Sequence, residues 1–327
     1  MTTERKTPTG RERLLAALEF RETDRPPHFE HMFEICSEAF GRDFPGEDTI
    51  AATAADSRER GRLLGECVEL YALIVERFEW DALAIWRPWG GPQQLECLRL
   101  AKAALGDRIL VGGFIGGSIH AIDTATDYMQ FAADLHEHPE KIHAEAAAMC
   151  ESGVARGRAM REAGADFVSI VSDVAFNQGP FMSPRAFREF VTPYLQREIE
   201  ALKGEGLCVI LHSDGNLMAI LDDFLAGKPH ALQSIDPMAG MDIAEVKRLT
   251  YRKVALMGNV QCSLLQEGPE QAIRQSARYA LDHAAPGGGY IFSSSNTIFA
   301  GMPLRHYQVM LDELRAYPAR RREAGQP

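Results

Sequence analysis

The chain has 327 residues and a formal net charge of −11, with 46% hydrophobic and 25% charged residues. This composition is typical of a globular protein with one large core or two ordinary ones. The acidic excess argues against nucleic acid or a membrane surface as the main partner, and no run approaches the ~20 apolar residues of a membrane span. Six scattered cysteines without a CxxC pair indicate reduced thiols, so we expect a cytoplasmic protein.

Strand-like and helix-like segments alternate along the chain without an evident linker. Apolar runs predict eight strands, at residues 27–30, 82–86, 109–114, 167–171, 207–211, 231–235, 254–257 and 290–293. Amphipathic stretches predict helices between them, at residues 58–78, 139–163, 184–203, 243–249 and 269–283. Ser183 before Pro184 offers a helix N-cap followed by a favoured first-turn proline.

The number and order of these elements predict a TIM (β/α)8 barrel that forms a single domain over residues 1–327. Eight strands and ~250 residues plus insertions are typical of that fold. An open doubly wound sheet is disfavoured because no GxGxxG or GxxxxGK[ST] motif follows a strand. We expect residues 34–56 to form a rim insertion after the first strand, and the polar tail at about residues 319–327 to fray.

Polar residues follow the carboxyl ends of most predicted strands, which in a TIM barrel share one mouth where active sites lie. The candidates for catalysis or substrate binding are Glu30, Trp86, Arg87, His120, Asp173, His212, Asn216, Asp236, Asn259 and Ser294. Asp214 follows His212 by two residues, so both side chains can reach one ion or one substrate. Trp86, Trp89 and Phe114 are candidates for an aromatic wall against a flat ligand. The alternative is that these residues are turn formers, helix caps and core packing.

Several motifs resemble one known superfamily. The residues after strands five to eight read HSDGN (212–216), IDPMAGMD (235–242), LMGNV (256–260) and GGYIFSSSN (288–296). Together with RERLLAALEF (11–20) and QGPFMSPRAFREFVTPY (178–194), they resemble the uroporphyrinogen decarboxylase superfamily. That superfamily includes uroporphyrinogen decarboxylases and cobalamin-dependent methyltransferases. The resemblance covers nearly the whole chain and implies a TIM barrel.

The region after strand one departs from the decarboxylase pattern. Uroporphyrinogen decarboxylases carry an arginine motif of the type RQAGR there, and its guanidinium groups hold the acidic side chains of the porphyrinogen. This chain instead reads PHFEHMFE over residues 27–34, with two acids and no arginine. The difference counts against porphyrinogen decarboxylation and favours the methyltransferase branch.

The resemblance to the methyltransferases implies a metal site whose ligands have changed. In those enzymes zinc is held by a histidine, the cysteine of an HxCG motif and a cysteine after strand eight. These positions fall on His212, Asp214 and Asn296 here. Both thiolates are replaced by oxygen ligands, so the site suits zinc, a harder divalent metal or no metal at all. Because the chain has no corrinoid-binding DxHxxG loop, a corrinoid would be carried by a separate protein.

The expected function is a methyltransferase, or demethylase, that moves a methyl group from a small methylated compound to the corrinoid of a partner protein. His212, Asp173 and Glu30 are the expected catalytic residues. One alternative is decarboxylation of a porphyrinogen or another small carboxylic acid in the haem pathway, with Asp173 stabilising a protonated pyrrole-like intermediate. A second alternative is a non-catalytic barrel that binds a small molecule or a metal.

Overall fold

One parallel sheet of seven strands forms the centre of the protein. The computed structural model describes residues 7–125 and 127–323. The strands are Ala82–Ile85 (β1), Leu110–Gly116 (β2), Phe167–Val171 (β3), the short hairpin Ala175–Phe176 (β4) and Gly179–Pro180 (β5), Cys208–His212 (β6), Ala231–Ser234 (β7), Ala255–Val260 (β8) and Tyr290–Ser294 (β9). In the sheet they follow the order β1-β2-β3-β6-β7-β8-β9. Seven of the eight predicted strands, and the α/β barrel class, are thereby confirmed.

The eighth predicted strand, residues 27–30, closes the sheet through single bridges instead of a ladder. His28 pairs with Phe292 of β9, and the Phe292 amide donates to the Pro27 carbonyl at 2.8 Å. On the other side, the Asp81 amide donates to the His28 carbonyl at 2.7 Å. The segment therefore lies between β9 and β1. Pro27 has no amide hydrogen to donate, which removes one rung of the ladder.

Buried side chains hold this closing segment. Asp81 accepts hydrogen bonds from Arg25 Nη1 at 2.6 Å, from Arg13 Nη1 at 3.2 Å and from the His28 amide at 2.7 Å. Nε2 of His28 lies 2.8 Å from the Tyr307 hydroxyl, and burial lowers the pKa of His28 to about 3. Neutral histidine and paired arginines thus replace part of the missing backbone pairing.

Helices connect the strands along most of the chain. They are Gly10–Leu18 (α1), Cys36–Phe40 (α2), Glu47–Ala51 (α3), Arg58–Phe78 (α4), Gly91–Leu105 (α5), Tyr128–Glu137 (α6), Pro139–Glu162 (α7), Pro184–Phe190 (α8), Thr192–Gly204 (α9), Leu221–Phe224 (α10), Ile243–Thr250 (α11), Cys262–Glu267 (α12), Glu270–Ala284 (α13) and Leu304–Glu323 (α14). The predicted helix over residues 184–203 divides at Val191, because Pro193 lacks an amide hydrogen and crowds the preceding turn. Within the described residues no helix has the length and apolarity to cross a membrane.

The insertion after the first predicted strand lies on the rim of the barrel. Residues 34–56 carry α2 and α3. Arg87, two residues after β1, forms ion pairs with Glu34 at 3.2 Å and with Glu47 at 2.6 Å. The insertion is therefore tied to the carboxyl end of β1, which is the mouth side of the sheet.

The last helix extends further than the sequence predicts. Residues 319–323 continue α14 instead of fraying. Arg321 pairs with Glu22 at 2.8 Å, so the end of the helix is tied back to the loop after α1. The remaining residues of the predicted frayed tail, 324–327, lie outside the described residues.

Candidate active site

The side chain of His212 lies at the carboxyl end of β6 and is 11% exposed. Its Nδ1 forms a short hydrogen bond with Oε1 of Gln233 on β7. Because a carboxamide oxygen only accepts, Nδ1 carries the hydrogen and Nε2 faces the barrel mouth. Nε2 lies 3.6 Å from Asp173 Oδ1 and 4.0 Å from Asp214 Oδ1. One imidazole nitrogen and two carboxylates therefore meet at one point.

Polar groups from neighbouring strand ends orient Asp214. The hydroxyl of Ser234, the last residue of β7, donates to its Oδ1 at 2.9 Å, and the side-chain amide of Asn296 donates to its Oδ2. Burial raises the pKa of Asp214, His212 lowers it, and the Asp173 carboxylate raises it. Two carboxylates this close favour a positive charge between them, either a proton or a cation.

The loops that carry the two aspartates are braced against each other. The Asp214 amide donates to Asp173 Oδ1 at 2.9 Å. Gly215 has φ +85°, and a Cβ at this position would lie 2.2 Å from the Ala175 carbonyl oxygen. Glycine is therefore required for both the backbone conformation and the close approach of the loops.

Gln233 and Ser234 support the site but are absent from the candidates that the sequence suggests. Gln233 is fully buried, and its Nε2 donates to the Asn296 carbonyl at 3.0 Å while its Oε1 accepts from His212. Asn296 in turn donates to Asp214. The sequence did contain a signal for Gln233, because a glutamine inside the apolar run of residues 231–235 is buried and a buried carboxamide needs hydrogen-bond partners.

The three side chains at this point fit a divalent cation. One ligand atom each from Asp173, His212 and Asp214 lies within 4.8 Å of the others. A histidine that donates its second ring nitrogen to a buried acceptor is typical of metal sites. Asn296, expected as a ligand, donates its side-chain amide to Asp214, and Asp173 adds a carboxylate to the group. None of the cysteines among the described residues belongs to this group, so its donors are nitrogen and oxygen.

Glu30, expected to be catalytic, makes its polar contacts within the barrel wall. Its buried carboxylate accepts from Ser293 Oγ at 2.8 Å, Ser294 Oγ at 2.6 Å and the Ser294 amide at 3.0 Å. Burial raises the pKa of Glu30 to about 7. Its neighbour His31 is the residue whose ring contacts His212, with 5.6 Å between the ring centroids. Glu30 and Ser294 thus link the closing segment to β9.

Three further candidates have structural partners. Asn216 donates from Nδ2 to a backbone carbonyl at 3.0 Å. Asp236 caps a short 3₁₀ turn by accepting from the Met238 amide at 2.9 Å, and Asn259 donates from Nδ2 to the Ile235 carbonyl at 2.9 Å. Asp236 thus has the cap role that the alternative interpretation assigns to such residues, whereas Asn216 and Asn259 link neighbouring strand ends.

The remaining candidates lie around the mouth but are engaged elsewhere. Trp86 is buried and packs against Tyr71, with 4.7 Å between ring centroids. Arg87 binds the rim insertion. His120 is buried, and its Nε2 lies 3.2 Å from a backbone carbonyl. The structure brings none of these three side chains into the group formed by Asp173, His212 and Asp214.

A closed parallel barrel with charged side chains at the carboxyl ends of its strands is the usual architecture of a TIM-barrel enzyme. A family model described as "Uroporphyrinogen decarboxylase (URO-D)" matches residues 72–317. The chain belongs to the uroporphyrinogen decarboxylase family, which confirms the resemblance read from its motifs.

Relatives with two different activities match this chain. A "Uroporphyrinogen decarboxylase" of Anaeromyxobacter dehalogenans (strain 2CP-C) is 26% identical over 247 residues, covering 74% of this chain and 68% of the relative. A "Methylcobamide:CoM methyltransferase MtaA" of Methanosarcina barkeri is 31% identical over 209 residues, covering 61% of this chain and 58% of the relative. Thus the match spans little more than half of the methyltransferase. A solved methyltransferase from Methanosarcina mazei has the same fold, with a TM-score of 0.74, 20% identity, and coverage of 96% of this chain and 99% of that one.

Proposed function

We propose that this protein is a methyltransferase that moves a methyl group from a small O- or N-methyl compound to the corrinoid of a partner protein. The observation that carries the proposal is the meeting of His212 Nε2 with the carboxylates of Asp173 and Asp214. In the part of the chain that the structure describes, no lysine or arginine forms an ion pair with either carboxylate. A porphyrinogen with several carboxylates would be repelled at such a mouth, whereas an uncharged methyl group would not.

The leaving atom of the methyl donor determines what the site must do. When the methyl group is transferred, the C–O or C–N bond breaks and its electron pair stays on the oxygen or nitrogen, which must take up a proton or bind a Lewis acid. His212 Nε2 is the group that can hold that proton, and Asp173, whose side chain is 46% exposed, is accessible from the mouth. A divalent cation bound by Asp173, His212 and Asp214 would supply Lewis acidity at the same place.

The donor set favours an oxygen or nitrogen leaving atom over sulfur. Soft thiolate ligands suit soft partners, whereas imidazole and carboxylate suit harder ones. The group contains one imidazole nitrogen and two carboxylates. This chemistry supports a methyl ether or a methylamine as donor.

The corrinoid part of the proposal rests on the relative whose name includes methylcobamide. Methyl transfer to an added corrinoid protein, followed by its absorbance change, tests the proposal directly. The His212→Ala variant should lose activity with a nearly unchanged melting temperature. Replacing His283, an exposed histidine of α13, is the matched control and should have no effect. Full activity of His212→Ala would contradict the proposed site.

The decarboxylase alternative has its own test. Incubation with uroporphyrinogen should give no coproporphyrinogen, because residues 27–34 carry no arginine that could hold the several carboxylates of the substrate. Turnover of uroporphyrinogen that is lost in Asp173→Asn would refute the methyltransferase assignment and establish a decarboxylase.

Cation binding can be measured without an activity assay. Titration calorimetry with Zn²⁺ and Mn²⁺ should show a loss of well over tenfold in affinity for His212→Ala and Asp173→Asn. Asn296→Ala, which removes a supporting hydrogen bond to Asp214, should cost about 10-fold. Equal metal content in wild type and His212→Ala would contradict the proposed ligands.

A further inference from the structure

A cavity of about 650 Å³ lies at the ends of β2 and β3, and β3 is the neighbour of the strand that carries His212. Residues from the ends of β2 and β3 and from α5 and α7 line it, and those that matter here are Trp89, Leu95, Phe114, Arg156, Met160 and Val171. Val171 is the β3 residue paired in register with His212. The Phe114 ring contacts His31 at 5.3 Å, and the His31 ring contacts His212 at 5.6 Å. The cavity wall is therefore continuous with the proposed site.

One wall of the cavity presents a flat aromatic surface. Trp89 stacks on Phe114 with 5.4 Å between ring centroids and an interplanar angle of 26°. Trp89 is 49% exposed, whereas Trp80 and Trp86 are buried. One face of its indole packs on Phe114, and the half-exposed side is free for a ligand. Offset stacking on such a face is the preferred way for a planar ring to bind.

Another wall of the cavity carries a positively charged side chain. Arg156 of α7 donates from Nη2 to the Gly116 carbonyl at 2.6 Å, which fixes one side of the guanidinium and leaves further donors available. Among the described residues Arg156 forms no salt bridge, although its charge acts on the buried Glu198. A pocket of this size that combines apolar walls with one or two charged groups is typical of small-molecule sites.

We infer that this cavity binds a flat aromatic carboxylate, with its ring on Trp89, its carboxylate on Arg156 and its methyl-bearing edge toward His212. Such a compound would be the substrate of the proposed methyl transfer. Its binding in the cavity does not depend on that function; only the fate of its methyl group rests on it. The bond that breaks is then the methyl–oxygen bond of an aryl ether. The methyl goes to the partner's corrinoid, and the phenol oxygen takes up a proton.

Asp123 is a second charged residue of the cavity and suggests a competing ligand, an ammonium or quaternary ammonium compound. Such cations bind best when several aromatic faces surround them. Here Trp89 and Phe114 are stacked on each other, so together they offer one flat wall instead of a cage. The geometry favours a planar ring over a compact cation.

Tryptophan fluorescence tests the inference with defined probes. Because Trp89 is the exposed indole, 4-methoxybenzoate should change the emission, and 4-methoxybenzylamine, of the same shape but opposite charge, should bind more weakly. Arg156→Ala should weaken 4-methoxybenzoate binding by about 10-fold. Arg158→Ala is the matched control on α7, since Arg158 pairs with Glu205 at 2.7 Å, and should bind like wild type. Preference for the amine, or equal binding by Arg156→Ala, would overturn the inference.

Binding and turnover separate this inference from the proposed function. If 4-methoxybenzoate fails to bind while methyl transfer from another donor is detected, the substrate class is wrong and the proposed function stands. If it binds at Trp89 and Arg156 and no corrinoid protein accepts the methyl, the cavity assignment stands and the methyltransferase assignment fails. Calorimetry on Trp89→Ala, which removes the stacking face, should show weaker binding by a readout that does not depend on fluorescence.

Discussion

Replacing Glu198 with glutamine is expected to remove a large part of the pH dependence of folding stability. Glu198 lies on α9 with its carboxyl fully buried. Neither carboxylate oxygen has a hydrogen-bond partner among the described residues, although the Ser118 hydroxyl and Gly153 of α7 lie against it. Burial raises the pKa of Glu198 to about 8 and outweighs Ser118 and Arg156, which lower it, so the folded protein keeps this group protonated at neutral pH.

The magnitude follows from the pKa difference between folded and unfolded chains. The pKa of Glu198 rises from 4.5 to about 8, and a difference of one in pKa corresponds to ~1.4 kcal/mol. The folded state holds a proton that the unfolded state releases. The stabilisation is therefore complete below pH 4.5, falls as the pH rises, and is lost above pH 8, a change of up to about 5 kcal/mol.

Urea unfolding of wild type and Glu198→Gln between pH 5 and pH 9 measures this effect. Glutamine stays neutral, so the free energy of unfolding of the variant should rise relative to wild type by up to ~1.4 kcal/mol per pH unit until pH 8. Above pH 8 the difference should stay constant. Glu200→Gln, an exposed change on the same helix, should follow wild type. Parallel curves for Glu198→Gln and wild type would show that the carboxyl is ionised in the folded protein and refute the reasoning.

Three other substitutions test the closing segment, the site loop and the base of the barrel. Asp81→Ala removes the buried carboxylate that the partly buried Arg25 shares with Arg13, which keeps its pair with Asp24. The change should lower the free energy of unfolding by about 3 kcal/mol; a loss below about 1 kcal/mol would contradict this in urea unfolding. Gly215→Ala should push its loop away from the Ala175 carbonyl and weaken cation binding in calorimetry, whereas Gly41→Ala, also at positive φ but facing open space, should bind normally. Lys247→Met removes the donor to the carbonyls at the end of α13 and should cost about 1–3 kcal/mol; an unchanged urea midpoint would show that the contact is not stabilising.

The barrel class was predictable from the sequence because each buried parallel strand is an apolar run followed by polar residues. The strand at residues 27–30 was predicted in the same way, but Pro27 and the side-chain contacts of His28 reduce it to bridges. The break between α8 and α9 depends on Pro193. The amphipathic pattern runs through residues 184–203 without interruption, so it predicted one helix there.

The candidate site was predictable in part. His212 and Asp214 follow from their spacing, and Asp173 from its position after a strand. The hydrogen bond from the Asn296 amide to Asp214 was not predictable, because it depends on how two loops from different strands meet in three dimensions. The contacts of Glu30 were not predictable for a related reason. Its strand-end position is the same as that of Asp173, but its side chain is enclosed by Ser293 and Ser294.

The junction between β9 and β1 is held by single bridges and side-chain contacts and therefore differs from the other strand junctions of the barrel. The six other strand junctions are held by backbone ladders, which depend little on ionic conditions. This junction depends on Asp81 with its arginines and on Glu30, whose pKa lies at about 7. Rising pH therefore acts on this junction before it acts on the backbone ladders. We expect the barrel wall to open first at this junction, next to the insertion that borders the mouth. Amide hydrogen exchange of residues 28–31 would report that motion.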